Sequence, residues 1–508
     1  MRPALALRGV SGQWIAPAEK NPSLIEPFRF CFLGKEQVLE RSSDWNHSGW
    51  EKIWLYNLHY FDDLNAEGSS KRKEWHAELI ERWIEDNPPG FGNGWEPYPT
   101  SLRIVNWVKW VLAGNDLTTK AVESLAVQMR LLEKRIEYHL LGNHLLANAK
   151  ALVFAGLFFR GEEATRWLKK GIQIFLSQLP EQVLPDGGHF ERSPMYHGII
   201  LEDLLDLINI QKAYGQEPAK LLNATAQRML VWLRVMTHPD GEIALFNDAA
   251  FGIAPIPSTL FDYAQRLGHR LPEQVNETLT NLEASGYIRM QTKIAVALLD
   301  VAPIGPDYLP GHAHADTLSF ELSLFGQRVI VDSGTSCYGD SPERLRQRGS
   351  VAHNTVMIDG LDSSEVWSGF RVARRARPFG LKVGTTKGAT SVRCSHDGYW
   401  RLLGRPTHRR EWVFDEKRIT IKDCVDGPFT KAIERLHLHP NVSVHIEDDA
   451  LKGSLVLQNG QHVCWQVEGG SAEVVDTTYH PEFGLSIPNK CIEVIFAGSE
   501  SKVIFSWG

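Results

Sequence analysis

The hydrophobic period of this 508-residue chain changes once, near residue 280, and that change limits the fold more than any other feature. Ahead of it, apolar side chains recur at helical spacing. Trp75, Leu79, Ile80 and Trp83 form one stripe, stopped by Asn87-Pro88-Pro89-Gly90, where proline and glycine oppose helix continuation. Gly94–Ser101 reads as a loop ending in a helix cap, and the next helix carries Leu102, Val105, Trp107 and Trp110. Further helices are predicted near 118–139, 143–158, 162–178, 195–213 and 217–236, with a last weak one between Leu271-Pro272 and Gly286-Tyr287. Tandem amphipathic helices joined by short loops predict an α-solenoid or α/α toroid. Past the change, alternating strands are predicted at 294–300, 317–325, 328–333, 354–358, 410–414, 417–423, 432–438 and 453–458. Short strands separated by Gly, Asp and Asn turns predict an antiparallel sandwich. The expected division is a helical domain over residues 1–280 and a sandwich over 281–508.

Composition narrows the function classes. An apolar fraction of 43% and an aromatic fraction of 10% are those of a soluble globular chain. No apolar run is long enough for a membrane-spanning helix. The start, Met1-Arg2-Pro3-Ala4-Leu5-Ala6-Leu7-Arg8, is too short in apolar length for a secretory signal. The expected location is the cytoplasm or, had a signal peptide been removed, the periplasm or the exterior. The six cysteines contain no CxxC pair, which argues against a thiolate zinc site or a redox motif. A net charge of −7 argues against general nucleic-acid binding. Two local basic runs, Arg344/Arg346/Arg348 and Arg371/Arg374/Arg375/Arg377, would still steer a polyanion if they face solvent.

Polar residues gather in four places. Gly311-His312-Ala313-His314-Ala315-Asp316 follows a Pro-Gly turn; on an extended segment its two histidines would share a face. Asp332 ends the apolar strand Arg328-Val329-Ile330-Val331, and His353 stands just before another strand. Asn143-His144 opens a helix, where asparagine is a good cap, and His144 and Asn148 lie four apart on one face. Asp186-Gly187-Gly188 is a loop, Ser193-Pro194 starts a helix, and Tyr196-His197 fall in its first turn, beside His189, Glu191 and Arg192.

In the order and spacing of these pieces the chain resembles the heparinase II/III-like polysaccharide lyases over most of its length. The fold this resemblance implies is an incomplete α/α toroid followed by an antiparallel β-sandwich. The implied activity is β-elimination at a uronic acid, which removes the C5 proton, expels the O4-linked sugar and leaves a C4–C5 double bond. By the same resemblance, Asn143 would bond the uronate carboxylate with help from His144 or His312. Tyr196 would transfer protons, as acid and for one C5 stereochemistry also as base; His144 or His312 would be the base for the other. A phenol has an ordinary pKa of about 10, so nearby cations such as Arg192 would have to lower it unless it acts only as acid. His314, Asp332 and His353 would bind one divalent ion, zinc or manganese, in a structural role. Trp95, Tyr98, Arg103, Trp107, Arg192, His197 and Arg348 are the expected substrate contacts, with His59 and Tyr60 behind them.

The expected partner is an anionic polysaccharide or oligosaccharide, with no nucleic acid and no membrane insertion; oligomeric state is open. Glycosaminoglycans of the hyaluronan, chondroitin or heparan type are the first expectation, and alginate or another exopolysaccharide the alternative. A metal-dependent hydrolase and a noncatalytic polysaccharide-binding protein are the rival readings.

Overall fold

The computed structural model describes residues 5–386 and 388–508. They form two compact units. The first holds the described residues up to Val183 together with Gly198–Leu230 and Gly252–Leu271; the second holds Leu184–His197, Val231–Phe251 and Pro272–Gly508. The division thus differs from a single cut at residue 280. Two pieces of the helical half, one carrying Tyr196, pack with the sheets.

The first unit contains α1 (Lys52–Tyr60), α2 (Lys73–Asp86), α3 (Pro97–Leu112), α4 (Thr119–Glu133), α5 (Gly142–Phe158) and α6 (Glu162–Gln182). Most of α7 (Pro194–Ala213) and α8 (Lys220–Val235) follow, and α9 (Pro257–Arg266) ends the unit. Local chemistry sets the helix starts. Pro97 occupies the first turn of α3, where its missing N–H costs nothing. The Thr118 side chain caps α4 by accepting from the Ala121 N–H. Every residue of α5 except His144 is buried, as expected of a helix apolar nearly all round. Gly156 and Gly171 bring α5 and α6 close, for a Cβ on Gly156 would meet the Leu168 backbone nitrogen at 2.5 Å. The helix predicted to reach residue 139 stops at Glu133. Beyond it the Glu137 N–H is claimed by the Asn148 side chain at 2.8 Å, which draws the backbone away from helical bonding.

The second unit is built on antiparallel sheets. A five-stranded meander joins Leu279–Leu282, Tyr287–Gln291, Ala295–Asp300, Phe320–Leu324 and Gln327–Ile330. The weak helix predicted before residue 286 is therefore corrected: Leu279–Leu282 pairs with Tyr287–Gln291 as a hairpin, and pairing outweighs weak helical spacing. The strand predicted from residue 317 begins at Phe320, because Leu318 adopts a left-handed φ of 65°. An eight-stranded sheet runs from Pro378–Thr386 at one edge, through Thr407–Asp415 and Arg418–Asp426, to Ser443–Ile446 at the other. A four-stranded sheet contains Val356–Ile358, Ala432–His437, Ile487–Phe496 and Gly470–Tyr479.

The apolar faces of these sheets share one core. Ala297, Leu299, Phe320 and Leu322 pack there with Trp412, Phe414, Ile421, Ile492 and Phe505. The opposite face of the meander forms a second core, in which Val296 and Leu298 meet Trp232, Met236, Phe246 and Tyr287. Ala295–Asp300 is consequently buried on both faces.

The interior of this unit also holds charge. Arg410 is wholly buried, pairs with both Asp423 oxygens at 2.8 Å and reaches Glu434 at 2.9 Å. Asp423 also takes His408 at 2.6 Å. Burial alone would raise the Asp423 carboxyl, but Arg410 and His408 hold it below its ordinary range, at about 2. A carboxyl lowered in the folded state stabilises above its unfolded pKa of about 3.9 and loses that contribution as pH falls toward the folded value. Asp423→Ala should cost about 3–5 kcal/mol at neutral pH, since it strands a buried arginine. In urea unfolding monitored from pH 7 to pH 3, the gap between the wild-type protein and the variant should be full at the top of the range and narrow below about pH 4.

Candidate active site

In the first unit, Leu141 (φ 60°) and Gly142 (φ 52°) turn the chain sharply into α5. The helix begins at Gly142, so Asn143 lies inside the first turn and is not the cap expected of it. The nearby Tyr98 phenol is pushed well above the usual tyrosine range by burial, with Asn143 pulling the other way. His144 is one-third exposed, leans its ring on Tyr98 at 4.4 Å and places Nδ1 3.2 Å from Glu137 Oε1. Asn148 donates to Glu137 Oε2 at 3.0 Å and to Ser101 at 3.0 Å. His144 and Asn148 are therefore bridged by the Glu137 carboxylate and do not bond each other.

Three of the expected substrate contacts in this unit are interior residues. Arg103 is wholly buried, stacks 3.8 Å above the Trp83 ring and donates to Gln128 Oε1 at 2.9 Å. Trp107 is wedged between Trp83 and Phe61. Trp95 is buried against Trp83 and donates to the Asn87 carbonyl. Mutual stacking of apolar and cationic faces holds them inside, and none is offered to a ligand. His59 is buried in the same cluster, between the Trp45 carbonyl and the Trp83 indole N–H. Tyr98 remains, half-buried beside Asn143 and His144.

In the second unit, Ser193 accepts from the Tyr196 N–H at 3.2 Å and donates to the Asp248 carbonyl at 2.5 Å, which fixes the start of α7. The Tyr196 ring lies flat on the His312 ring, with centroids 3.9 Å apart and planes within 9°. The Tyr196 and Tyr338 hydroxyls are 3.0 Å apart. His312 Nδ1 is 2.5 Å from Glu191 Oε2. Burial alone would raise the Glu191 carboxyl, but the neighbouring His312 outweighs it and holds the group below the usual range. A tyrosine, an imidazole and a buried carboxylate thus meet in one cluster, with Tyr338 as a fourth member.

His312 and His314 part company. The segment from Gly311 to Ser319 is a loop, and its histidines face different partners, so they do not lie side by side as an extended segment would place them. His314 is wholly buried, with Nε2 2.8 Å from Asp248 Oδ1. Arg344 forks onto the two oxygens of the same carboxylate, with Nη2 2.7 Å from Oδ2. Asp248 also donates its backbone N–H to the His312 carbonyl at 3.0 Å, and Asn247 Oδ1 accepts from the His314 N–H at 3.1 Å. Sequence reading missed Asn247-Asp248, and its one signal was a polar pair after the apolar run Ala244-Leu245-Phe246.

The remaining expected contacts are structural. Arg348 is wholly buried and donates to the Ala313 carbonyl at 3.2 and 3.0 Å and to the Ser368 carbonyl at 3.0 Å. It braces the histidine loop rather than meeting a ligand. His197 is buried and stacks on Trp232 at 4.2 Å. Arg192 donates to the Ser285 carbonyl at 3.0 Å. Most of the arginines in the two runs are spoken for, although Arg371 is exposed. Arg344 and Arg348 are interior, Arg346 is tied to Glu343, Arg374 to Glu365, and Arg375 and Arg377 to Asp307.

The three expected metal ligands lie in the same interior. His353 Nδ1 is 2.7 Å from Asp332 Oδ2, and the His314 and His353 rings are 5.2 Å apart. Among the described residues no three His, Cys, Asp or Glu side chains are already drawn around a common point for an ion. The donor chemistry nevertheless fits one: among the described residues, His314 Nδ1 and His353 Nε2 are both buried without a hydrogen-bond partner. The other nitrogen of each ring faces a carboxylate, the arrangement that orients metal-binding imidazoles.

The protein is thus built of a helical unit and a unit of antiparallel sheets that carries a tyrosine–imidazole–carboxylate cluster. The family is settled by sequence: residues 44–262 match the heparinase II/III N-terminus model and residues 274–508 the heparinase II/III-like C-terminal model, and the chain belongs to the heparinase II/III-like family. It is 28% identical over 251 residues to a heparin-sulfate lyase of Bacteroides stercoris, covering 45% of this chain and 37% of that protein. It is 27% identical over 467 residues to FtsZ-localized protein C of Caulobacter vibrioides, covering 85% of this chain and 77% of that one. The crystal structure of heparinase III superposes with a TM-score of 0.71 at 18% identity, over 90% of this chain and 76% of that one. The fold is thus the expected α/α toroid followed by a β-sandwich.

Removing the Arg348 brace tests the loop's architecture. Arg348→Met keeps the apolar stem but loses the hydrogen bonds to Ala313 and Ser368. Stability should fall by about 2 kcal/mol, and hydrogen exchange should speed up first at the Ala313 and Ala315 amides.

Proposed function

We propose that this protein is a lyase that cuts uronic-acid-containing glycosaminoglycans by β-elimination. The observation that carries the reading is the flat stack of Tyr196 on His312, with Glu191 behind the imidazole. The chemistry is difficult because the C5 proton is weakly acidic and its loss puts a second negative charge beside a carboxylate. Neutralising that carboxylate lowers the barrier, and Asn143 is proposed for this contact. An imidazole takes the C5 proton. The C–H electron pair becomes the C4–C5 double bond, and the C4–O4 bond breaks. The Tyr196 phenol then gives its proton to the departing O4. Used as an acid, the phenol does not need the cationic field expected from Arg192, which is occupied elsewhere.

The relatives supply the support for a glycosaminoglycan, since most arginines of the runs that pointed to one are paired or interior. Among such substrates the heparan type comes first, because the name of the aligned Bacteroides stercoris protein is heparin-sulfate lyase. A noncatalytic or assembly role is the second reading. It is favoured by the FtsZ-localized relative, whose alignment covers more of this chain.

We also propose that His314, His353 and Asp332 hold one divalent ion, zinc or manganese. It would tie Asp332 and His353 to the histidine loop, a structural contribution. Elemental analysis of the purified protein should find about one ion per chain, and chelation should lower the melting temperature.

Incubating the protein with heparan sulfate, chondroitin, hyaluronan and alginate, and following the ultraviolet band of the unsaturated uronate, tests the main reading. A rise is expected on at least one substrate, with Tyr196→Phe slower by at least about 100-fold. Binding without any rise would favour the noncatalytic reading, and a rise undiminished in Tyr196→Phe would remove that residue from the chemistry.

A further inference from the structure

We infer that Glu191 is a positioning residue that fixes His312 in its Nδ1–H tautomer and so reserves Nε2 as the proton acceptor. The inference deepens the lyase reading and rests on it for its catalytic consequence. Three observations carry it.

The first is the contact itself. Glu191 Oε2 lies 2.5 Å from His312 Nδ1, and both side chains are largely buried. An ionised carboxylate can only accept hydrogen bonds, so the shared proton belongs on Nδ1 and the lone pair on Nε2. A glutamate at its ordinary pKa of about 4.3 is ionised at neutral pH.

The second is the rigidity of the segment that presents Glu191. The next residue, Arg192, takes a left-handed φ of 59°. Its carbonyl accepts from the Tyr287 hydroxyl at 2.6 Å and from Asn247 Nδ2 at 3.1 Å. Its guanidinium is anchored on the Ser285 carbonyl. Glu191 is thus delivered from a backbone clamped on its C-terminal side. On the other side of the ring, the stacked Tyr196 restrains the imidazole plane.

The third is that, among the described residues, Glu191 has no competing hydrogen-bond partner. Its other oxygen, Oε1, is buried without one. A buried carboxylate with an unsatisfied oxygen costs stability, and no structural bond other than that to His312 accounts for it. Nearby His189 is also buried, which pushes its imidazole down to about 4 and leaves it neutral at neutral pH. Glu191 and His189 also feel each other's charge, but the short contact of the carboxylate is with His312.

The test combines a spectroscopic and a kinetic readout on the full chain. Nitrogen NMR of protein carrying ¹⁵N-histidine, with His312→Gln used to assign the His312 signals, reads the tautomer directly. The expected wild-type result is a protonated Nδ1 and an unprotonated Nε2. In Glu191→Gln the amide can donate as well as accept, so the signals should move toward the Nε2–H form. On a substrate that yields unsaturated product, kcat should fall at least about 100-fold while KM changes less than about threefold, because the ring would present the wrong nitrogen. A wild-type Nε2–H tautomer would overturn the inference. So would a Glu191→Gln variant that keeps wild-type kcat, or one whose loss lies in KM. If no substrate is cut, the lyase reading fails while the wild-type spectrum still decides the positioning role. The same spectrum decides it if the variant does not fold.

Discussion

The carboxylate of Asp248 is the interaction on which the second unit's polar interior depends. It takes the His314 imidazole on one oxygen and the fork of Arg344 across both, while its backbone N–H holds the His312 carbonyl. Arg344 in turn lies 4.9 Å over the Tyr338 ring, and Tyr338 meets Tyr196 through their hydroxyls. One buried acid therefore connects the deep histidine, the shallow histidine loop and the tyrosine pair. Removing one member of such a buried pair typically costs about 3–5 kcal/mol, because the partner charge is left without compensation. Glu137 plays a smaller version of this part in the first unit, where one carboxylate joins His144 to Asn148.

Carboxylates of this kind are what a linear reading cannot find. The change of hydrophobic period, the helix start at Pro194, and the polar pieces at Asn143-His144, Tyr196 and His312 are local patterns, and local patterns survive in one dimension. Asp248 lies 66 residues from His314 and 96 from Arg344. Nothing in its own neighbourhood says that it will be buried between them. The arginines show the same limit from the other side. Arg103, Arg344 and Arg348 look like ligand-binding cations in the sequence, yet each is wholly buried because distant carboxylates, carbonyls or indole faces satisfy it. Residue type predicted their chemistry correctly and their location wrongly.

Elements near residue 280 failed for a related reason. Leu279–Leu282 is too short to show a strand period of its own, and it becomes a strand because Tyr287–Gln291 is there to pair with it. The alternation that begins at Thr317 predicts a strand directly after the histidines, but the left-handed turn at Leu318 delays it to Phe320. That delay lets His312 and His314 address different partners, so a proton-transfer group and a buried structural group can stand two residues apart.

The five-stranded meander acts as a ruler for that loop. Phe320, the first strand residue after it, is set opposite Leu299. Alternate residues of Ala295–Asp300 belong to two different cores, Ala297 and Leu299 to one, Val296 and Leu298 to the other. A slip of one residue would exchange the two sets, filling each cavity with side chains shaped for its neighbour. It would also carry the attached loop about 3.3 Å along the strand, more than the His312–Glu191 contact could follow. The two cores therefore do more than stabilise the sheet: by admitting a single register, they measure out where the imidazole must stand.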